Sequence, residues 1–369
     1  ALGDVYKRQA KYEEQDHGAK LNWRALIEGG IFEFMHRIIL TDIKPPIYHE
    51  LMRVHGRKLN AWIYEQLARR VPELDEVFFD KLKRWFDYPE ENRLEKKLLR
   101  AAHYLATQWE FGIIYHFNQA IYGIDATKAA IESNIEDHYD LAGVQKISLK
   151  GKTSKFIDLV GQLRFQKRWA QSPRVPETSV MGHVLIVAIL GYFCAAELGA
   201  CDERIVNDFL CGLFHDLPEV LTRDIISPVK TSVEGLDDLI KDIEKRQVAE
   251  KLLPLLPWGW HEEIIYFTQN EFTNRVMLDG VPTEVSEEEL NGKYNVDGHG
   301  YKAVDGRMLK GCDRLAAFVE AYLSTEYGIT SKHLLNGMAD LREKYKNKTI
   351  AGINFGAVYD EFPELKTNL

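Results

Sequence analysis

The stretch Leu213-Phe214-His215-Asp216-Leu217-Pro218-Glu219-Val220-Leu221-Thr222-Arg223-Asp224 constrains this chain more than any other. It follows a mostly apolar run, Ile205 to Phe214, that a folded chain must bury. An imidazole and a carboxylate delivered side by side from a core are costly unless they are paired or bound to a cation. The fold must therefore bring further polar groups to His215 and Asp216. Glu219, Asp224 and the Thr222 hydroxyl supply candidate ligands or proton carriers within the same stretch.

Two distant segments offer partners of the right kind. His183 opens the most apolar helix of the chain, where Val184, Leu185, Val187, Ala188, Leu190, Gly191 and Phe193 cover nearly every face. Asp313 interrupts a second strong helix, Arg307 to Tyr327. His183, His215, Asp216 and Asp313 would together give two neutral imidazoles and two carboxylates, which balance one divalent charge. Mixed N/O ligation suits Mn, Co, Fe, Ni or Zn rather than calcium. Four protein ligands on a six-coordinate ion leave room for a water and a phosphoryl oxygen, and the ion acidifies that water. Glu219 follows His215 by four residues and shares its face if the helix continues for one turn. Glu219 and Asp224 are the candidates for moving protons. Lys230 and Thr222 are candidate substrate contacts.

Charge narrows the partners. Lys and Arg total 47 against 56 Asp and Glu, a net −9. That excludes a nucleic-acid polymer or an anionic membrane as the main partner, since both require basic surface. A small anion held by a metal and a few local cations is still compatible. The cysteines, Cys194, Cys201, Cys211 and Cys312, form no CxxC pair and read as free thiols, so a reducing cytoplasmic location is expected. The run Val184 to Ala196 falls short of the roughly 20 residues a spanning helix needs.

The expected organisation is all-α. Residues 1–9 contain Asp4-Val5-Tyr6-Lys7-Arg8-Gln9, which reads as a translated sequencing adaptor and is set aside. Residues 10–150 form an N-terminal helical region of unassigned role. Its strongest helix is Glu95 to Tyr115, with a stripe from Leu98 through Leu105 to Trp109 and Ile113. Gly143 to Lys155 reads as a linker, 151–345 as the domain carrying the site, and 346–369 as a peripheral tail. Within 151–345, the segment 278–306 is an insertion, either a lid or a stretch with local structure of its own. Several look-alikes fail. His49-Glu50 has Arg53 where HExxH needs its second His, and His261-Glu262 has Ile265 there. Gly151-Lys152-Thr153 lacks the first Gly of a phosphate loop, and His103 and His116 read as structural.

The pattern His183, His215-Asp216, Asp313 resembles the H…HD…D signature of the HD-domain metal-dependent phosphohydrolases. Within that superfamily the text is similar to the bacterial 5′-deoxynucleotidases. The similarity rests on His215-Asp216-x-x-Glu219-Val220-Leu221-Thr222-x-Asp224-Ile225, Pro228-Val229-Lys230, Arg168-Trp169 and Lys310-x-x-Asp313. It implies an HD helical bundle, one divalent metal on His183, His215, Asp216 and Asp313, and a nucleotide held by Arg168 and Trp169. The Trp excludes a ribose 2′-hydroxyl, and Glu219 and Asp224 fall at the family's catalytic acids. The implied reaction is hydrolysis of deoxyribonucleoside 5′-monophosphates by a metal-bound water, with no nucleic-acid polymer or membrane as partner and a homodimer allowed. The chain departs from the family at Gly182, where Glu often precedes the first His, and in the enlarged segment between Lys230 and Lys310. Two other readings stay open: a triphosphohydrolase or phosphodiesterase on a related scaffold, and a non-catalytic nucleotide- or protein-binding scaffold with a closed structural metal.

Overall fold

The computed structural model describes residues 2–41, 43, 45–223 and 233–365. Their regular structure is mainly helical, with two two-stranded antiparallel hairpins and two isolated bridges among the described residues. They divide into two compact units, Leu2–Lys146 and Ile147–Leu369.

In the first unit, helix α1 (Leu2–His17) includes residues 2–9, which the sequence reads as adaptor-derived. Helix α2 (Trp23–Leu40) starts at Asn22, whose side chain accepts from the Ala25 N–H, and buries Leu26, Ile27, Ile31 and Phe32. Helices α3 (Pro45–Arg70), α4 (Glu76–Asp87), α5 (Arg93–Phe117) and α6 (Ile124–Glu136) follow. Gly29 leaves room for the Trp85 indole, because a Cβ there would stand 2.3 Å from the ring. The α5 stripe is shorter than expected. Leu98, Leu99, Ala102 and Leu105 are buried, but Ile113 and Phe117 are exposed. His103 pairs with Glu33 at 3.1 Å, a structural contact.

The expected linker is helical instead. Helices α7 (Ala142–Ser148) and α8 (Lys152–Gly161) occupy most of it, because Val144, Ile147, Phe156, Ile157 and Val160 are buried. Helix α9 (Val180–Glu197) forms the centre of the second unit, packed by α10 (Asp202–Phe214) and α15 (Gly306–Glu326). By length and composition alone α9 could cross a membrane; one side of it, with Val184, Val187, Ala188 and Gly191, is buried against these neighbours, while Ile186 is exposed. The close approach of α9 and α10 depends on small residues. A Cβ at Gly212 would stand 2.9 Å from the Ala188 Cα. That crossing lies beside His215 on one helix and near His183 on the other.

After α10 come the short α11 (Glu219–Thr222), then α12 (Leu236–Gln247) and α13 (His261–Thr268). Residues 278–306 have structure of their own. Strands β1 (Arg275–Leu278) and β2 (Val281–Glu284) pair through Asp279-Gly280, both with positive φ, as a two-residue hairpin of this hand requires. Helix α14 (Glu287–Asn291) begins with a Ser286–Glu289 capping box. Val276, Leu290, Tyr294 and Ala303 form a small core of their own. This segment docks on the start of α10, where Asn295 Oδ1 accepts from Cys201 N at 2.8 Å and Asp297 Oδ1 from Glu203 N at 2.8 Å. His215 lies at the other end of that helix, about 20 Å away at 1.5 Å per residue. Here the segment buttresses α10.

Beyond α16 (Lys332–Tyr345), the stretch read as a peripheral tail packs into the core. Strands β3 (Thr349–Ile350) and β4 (Ile353–Asn354) turn the chain into α17 (Phe355–Asp360). The Phe355 ring fills the space left by Gly311, and Tyr359 packs on Phe318 with centroids 4.8 Å apart. Two aromatics in a short segment carry no helical period, so sequence pattern cannot announce them.

Gly212→Ala should separate α9 from α10 and cost about 1–3 kcal/mol, as overpacking does. The expected readout is a lower urea midpoint with unchanged m. An unchanged midpoint would show that the crossing tolerates the methyl.

Candidate metal centre

Three helices place the candidate ligands. His183 lies in the first turn of α9, after Ser179 caps the helix by accepting from Gly182 N. His215 is the C-cap of α10, and Asp216 follows it into a tight helical turn. Pro218 does not break this path. Leu217, Glu219, Val220 and Leu221 each donate backward to a carbonyl three residues earlier, and the chain winds on into α11. Asp313 is buried on the inner face of α15.

The hydrogen bonds settle the tautomers. His215 Nδ1 is 2.8 Å from the Gly212 carbonyl, which can only accept, so the proton sits on Nδ1. His215 Nε2 is a buried atom with no hydrogen-bond partner among the described residues. His183 Nδ1 is 3.0 Å from the Glu320 carboxylate and its Nε2 is 3.0 Å from Asp313, so with a cation at Nε2 the ring keeps its proton on Nδ1. Both Nε2 lone pairs therefore face carboxylates. His183 Nε2 is 3.0 Å from Asp313 Oδ1 and 3.9 Å from Asp216 Oδ2, and His215 Nε2 is 3.2 Å from Asp216 Oδ2. Lone pairs against carboxylate oxygens repel unless a positive charge lies between them. A proton on each ring is one solution and a shared divalent cation is the other.

The spacing fits the second. Ligand atoms of His183, His215 and Asp216 lie within 4.8 Å of one another. Ligands about 2.1 Å from one ion would lie at roughly such separations. Asp313 joins through His183, while its other oxygen is 3.6 Å from Arg314 Nε. Three of the four candidates, His183, His215 and Asp216, form one group, with Asp313 beside His183, and the mixed N/O set is of the kind that suits a transition metal.

The local charges favour positive charge at the centre. Burial opposes an imidazolium at His215, yet Asp216 and Asp313 outweigh it and raise its pKa to about 9. Burial would raise the Asp313 carboxyl, but the hydrogen bond and charge of His183 bring it down to about 2. Asp216 is held well below its ordinary range by His215, His183 and Arg168, against the effect of burial.

Arg168 stands beside the centre, and Trp169 follows it. Arg168 NH1 is 3.7 Å from Asp216 Oδ2, and its Nε donates to Glu320 Oε2 at 3.2 Å. Trp169 Nε1 donates to the same oxygen at 2.9 Å. On another side the Phe272 ring stands 5.8 Å from the His215 ring. The loop that carries Phe272 is held by buried Arg275, which donates to the carbonyls of Tyr266, Asn270, Glu271 and Thr273. Glu219 is buried in the first turn of α11. The Thr222 hydroxyl donates to Glu244 on α12 at 3.3 Å. Asp224 and Lys230 lie outside the described residues.

Sequence reasoning missed Glu320, Arg275, Phe272 and Gly212. Only Glu320 left a signal. It sits seven residues after Asp313 on the same helix face, an acid among Phe318, Val319 and Ala321.

Residues 160–342 match the family described as HD domain. The chain is 29% identical over 116 residues to a 5′-deoxynucleotidase of Photobacterium profundum, covering 30% of this chain and 58% of that protein. It is 26% identical over 127 residues to a 5′-deoxynucleotidase of Vibrio atlanticus, covering 34% and 65%. A 5′-deoxynucleotidase of Salmonella typhi is 31% identical over 119 residues, covering 30% and 57%. The chain therefore spans under two thirds of the length of these curated relatives.

The titration of His215 sets a pH dependence for the metal-free protein. Its folded pKa of about 9 lies above the ordinary 6.5, so its stabilising effect is full below pH 6.5 and is lost as pH rises through 9. Chelator-treated protein should melt at progressively lower temperature across that window. Added Co²⁺ should raise the melting temperature most at the alkaline end, where no proton competes for the ligands. A metal-free melting temperature that climbs from pH 6.5 to 9 would contradict this assignment.

Proposed function

We propose, from the premise that residues 160–342 are an HD domain, that the protein is a divalent-metal phosphohydrolase releasing phosphate from deoxyribonucleoside 5′-monophosphates. The observation that carries the reading is the pair of imidazoles whose Nδ1 protons are committed to Gly212 and Glu320 while their Nε2 atoms face two carboxylates. The printed names of the relatives support the substrate class.

When bound, the cation supplies an acidified water and positive charge against the phosphoryl oxygens. His183, His215, Asp216 and Asp313 hold it. The Asp216 and Asp313 side chains keep 19% and 12% of their surface in solvent, so the centre has an open side. A structural metal would be enclosed by its ligands. Arg168 donates to the phosphate from beside Asp216, and the Trp169 ring forms a wall that leaves a ribose 2′-hydroxyl without a partner. Glu219 takes a proton from the attacking water and returns one to the leaving 5′-oxygen, with Asp224 as the second acid of that relay. Lys230 contacts the phosphate. Thr222 acts through α11, which its bond to Glu244 ties to α12.

The test is a panel of nucleoside mono-, di- and triphosphates with Mn, Co, Mg and Zn, assayed for the product released. Inorganic phosphate from deoxyribonucleoside monophosphates is expected. Triphosphate as the product, or a cleaved phosphodiester, would replace this substrate class with one of its relatives. His215→Ala and Asp216→Ala should each weaken metal binding by more than about 100-fold, beyond the range for residues that only orient a ligand. Phosphate release should vanish with the metal, and activity in a metal-free variant would refute the mechanism. Trp169→Ala should erase most of the discrimination against ribonucleotides, which for an apolar wall is on the order of 100-fold. Unchanged selectivity would remove Trp169 from the pocket.

A further inference from the structure

One buried carboxylate, Glu320 on α15, gathers donors from three separate places. Its Oε1 accepts the Nδ1 proton of His183 at 3.0 Å. Its Oε2 accepts from Trp169 Nε1 at 2.9 Å and Arg168 Nε at 3.2 Å, with Arg174 NH1 at 3.6 Å. The Glu320 side chain is 2% exposed, so none of these bonds has water as a ready substitute. We propose that Glu320 is the positioning residue that couples the metal centre to the selectivity wall. It sets the tautomer of His183 and the rotamer of Trp169 from the same carboxylate. This rests on the function proposed above.

The physical case has two halves. A metal-binding imidazole needs its other ring nitrogen fixed by an acceptor, and loss of such a partner weakens metal binding by about 10–100-fold. Glu320 is that acceptor for His183. The second half concerns Trp169, whose backbone lies at φ 57, a left-handed region that bulky residues rarely adopt. Its indole is held from one side by Glu320. On another side lies Gly337 of α16, where a Cβ would stand 3.0 Å from the ring edge. The indole therefore has little freedom to turn, as a wall that selects against one hydroxyl requires.

A neutral amide cannot reproduce this arrangement. Both Glu320 oxygens accept, whereas glutamine offers one acceptor and one NH2 group. The NH2 group must face either His183 Nδ1–H or the Arg168 and Trp169 donors, and the pair it faces is lost. Removing the charge also weakens whichever bonds survive, since hydrogen bonds to a carboxylate are roughly twice as strong as neutral ones.

The experiment compares wild type with Glu320→Gln, Trp169→Phe and the double variant in the full-length protein. Co²⁺ affinity is measured by visible absorbance against a competing chelator, a readout that needs no turnover. Selectivity is the ratio of kcat/KM for a deoxyribonucleoside monophosphate over its ribonucleotide. Glu320→Gln should raise the Co²⁺ Kd at least tenfold and lower the selectivity ratio severalfold. Trp169→Phe, which removes only the indole N–H, should lower the ratio and leave the Co²⁺ Kd within twofold. The double variant should be no less selective than the worse single variant, because both act through one bond. A lower melting temperature in Glu320→Gln with Kd and ratio both unchanged would make Glu320 merely structural and overturn the proposal. Movement of only one readout would overturn the coupling. Should Glu320→Gln fail to fold, unchanged selectivity in Trp169→Phe overturns the proposal by itself. If wild type releases phosphate from no nucleotide, the functional reading fails, and the Co²⁺ arm still decides the Glu320–His183 half.

Discussion

The second unit depends on a repulsion that only a positive charge relieves. Two imidazoles, each with its Nδ1 proton given away, aim Nε2 lone pairs at Asp216 and Asp313. Everything around them maintains that confrontation. Gly212 contributes twice: its missing side chain lets α10 approach Ala188 of α9, and its carbonyl takes the His215 proton. The helix crossing and the ligand tautomer thus come from one residue. Because the confrontation is built into the packing, the site favours a positive charge, and a proton and a cation would compete for it.

Helix α10 carries buried charge at both ends, and the contrast is instructive. Toward its start, Arg204, Asp208 and Asp305 are sealed from solvent. Arg204 donates to Asp305 at 2.9 Å and to Asn291 at 2.7 Å, and Asp208 accepts from Asp305 N at 2.7 Å. Burial raises the Asp208 carboxyl to about 7, although Arg204 opposes it. That cluster is closed by the hairpin segment and serves to attach it. At the far end the His215-Asp216 cluster is backed by Glu320, Arg168 and Arg174 but keeps an open side. Buried ionic groups pay for desolvation only when their partners are complete. At one end the charges pair within the chain, and at the other the two carboxylates stay partly in solvent.

Much of the site was legible in the sequence because polar residues that interrupt apolar helices have few harmless explanations. His183 within the α9 apolar run, Asp313 within α15, and His215-Asp216 at the end of α10 all carry that signature. Glu320 carries a weaker form of it, since a single acid in a long helix is usually on the solvated face. Arg275 and Phe272 have no sequence signal, because their roles come from carbonyls and a ring brought near by the fold. The hairpin at Asp279-Gly280 was written in its turn residues. Where the segment docks was not, because Asn295 and Asp297 find their donors some ninety residues back along the chain.

The sequence by itself determined the helical class and singled out four candidate ligands, since both readings depend on residue type and on apolar period. Only the tertiary structure decided which imidazole nitrogen is free, which side of the centre stays open, and that one carboxylate serves both His183 and Trp169. It also decided that the expected linker and tail belong to the packed units. The reason is physical. Periodicity reports which face of a helix is buried, but the direction of a lone pair, the depth of a carboxylate and the fit of Phe355 against Gly311 depend on atoms far apart in the chain.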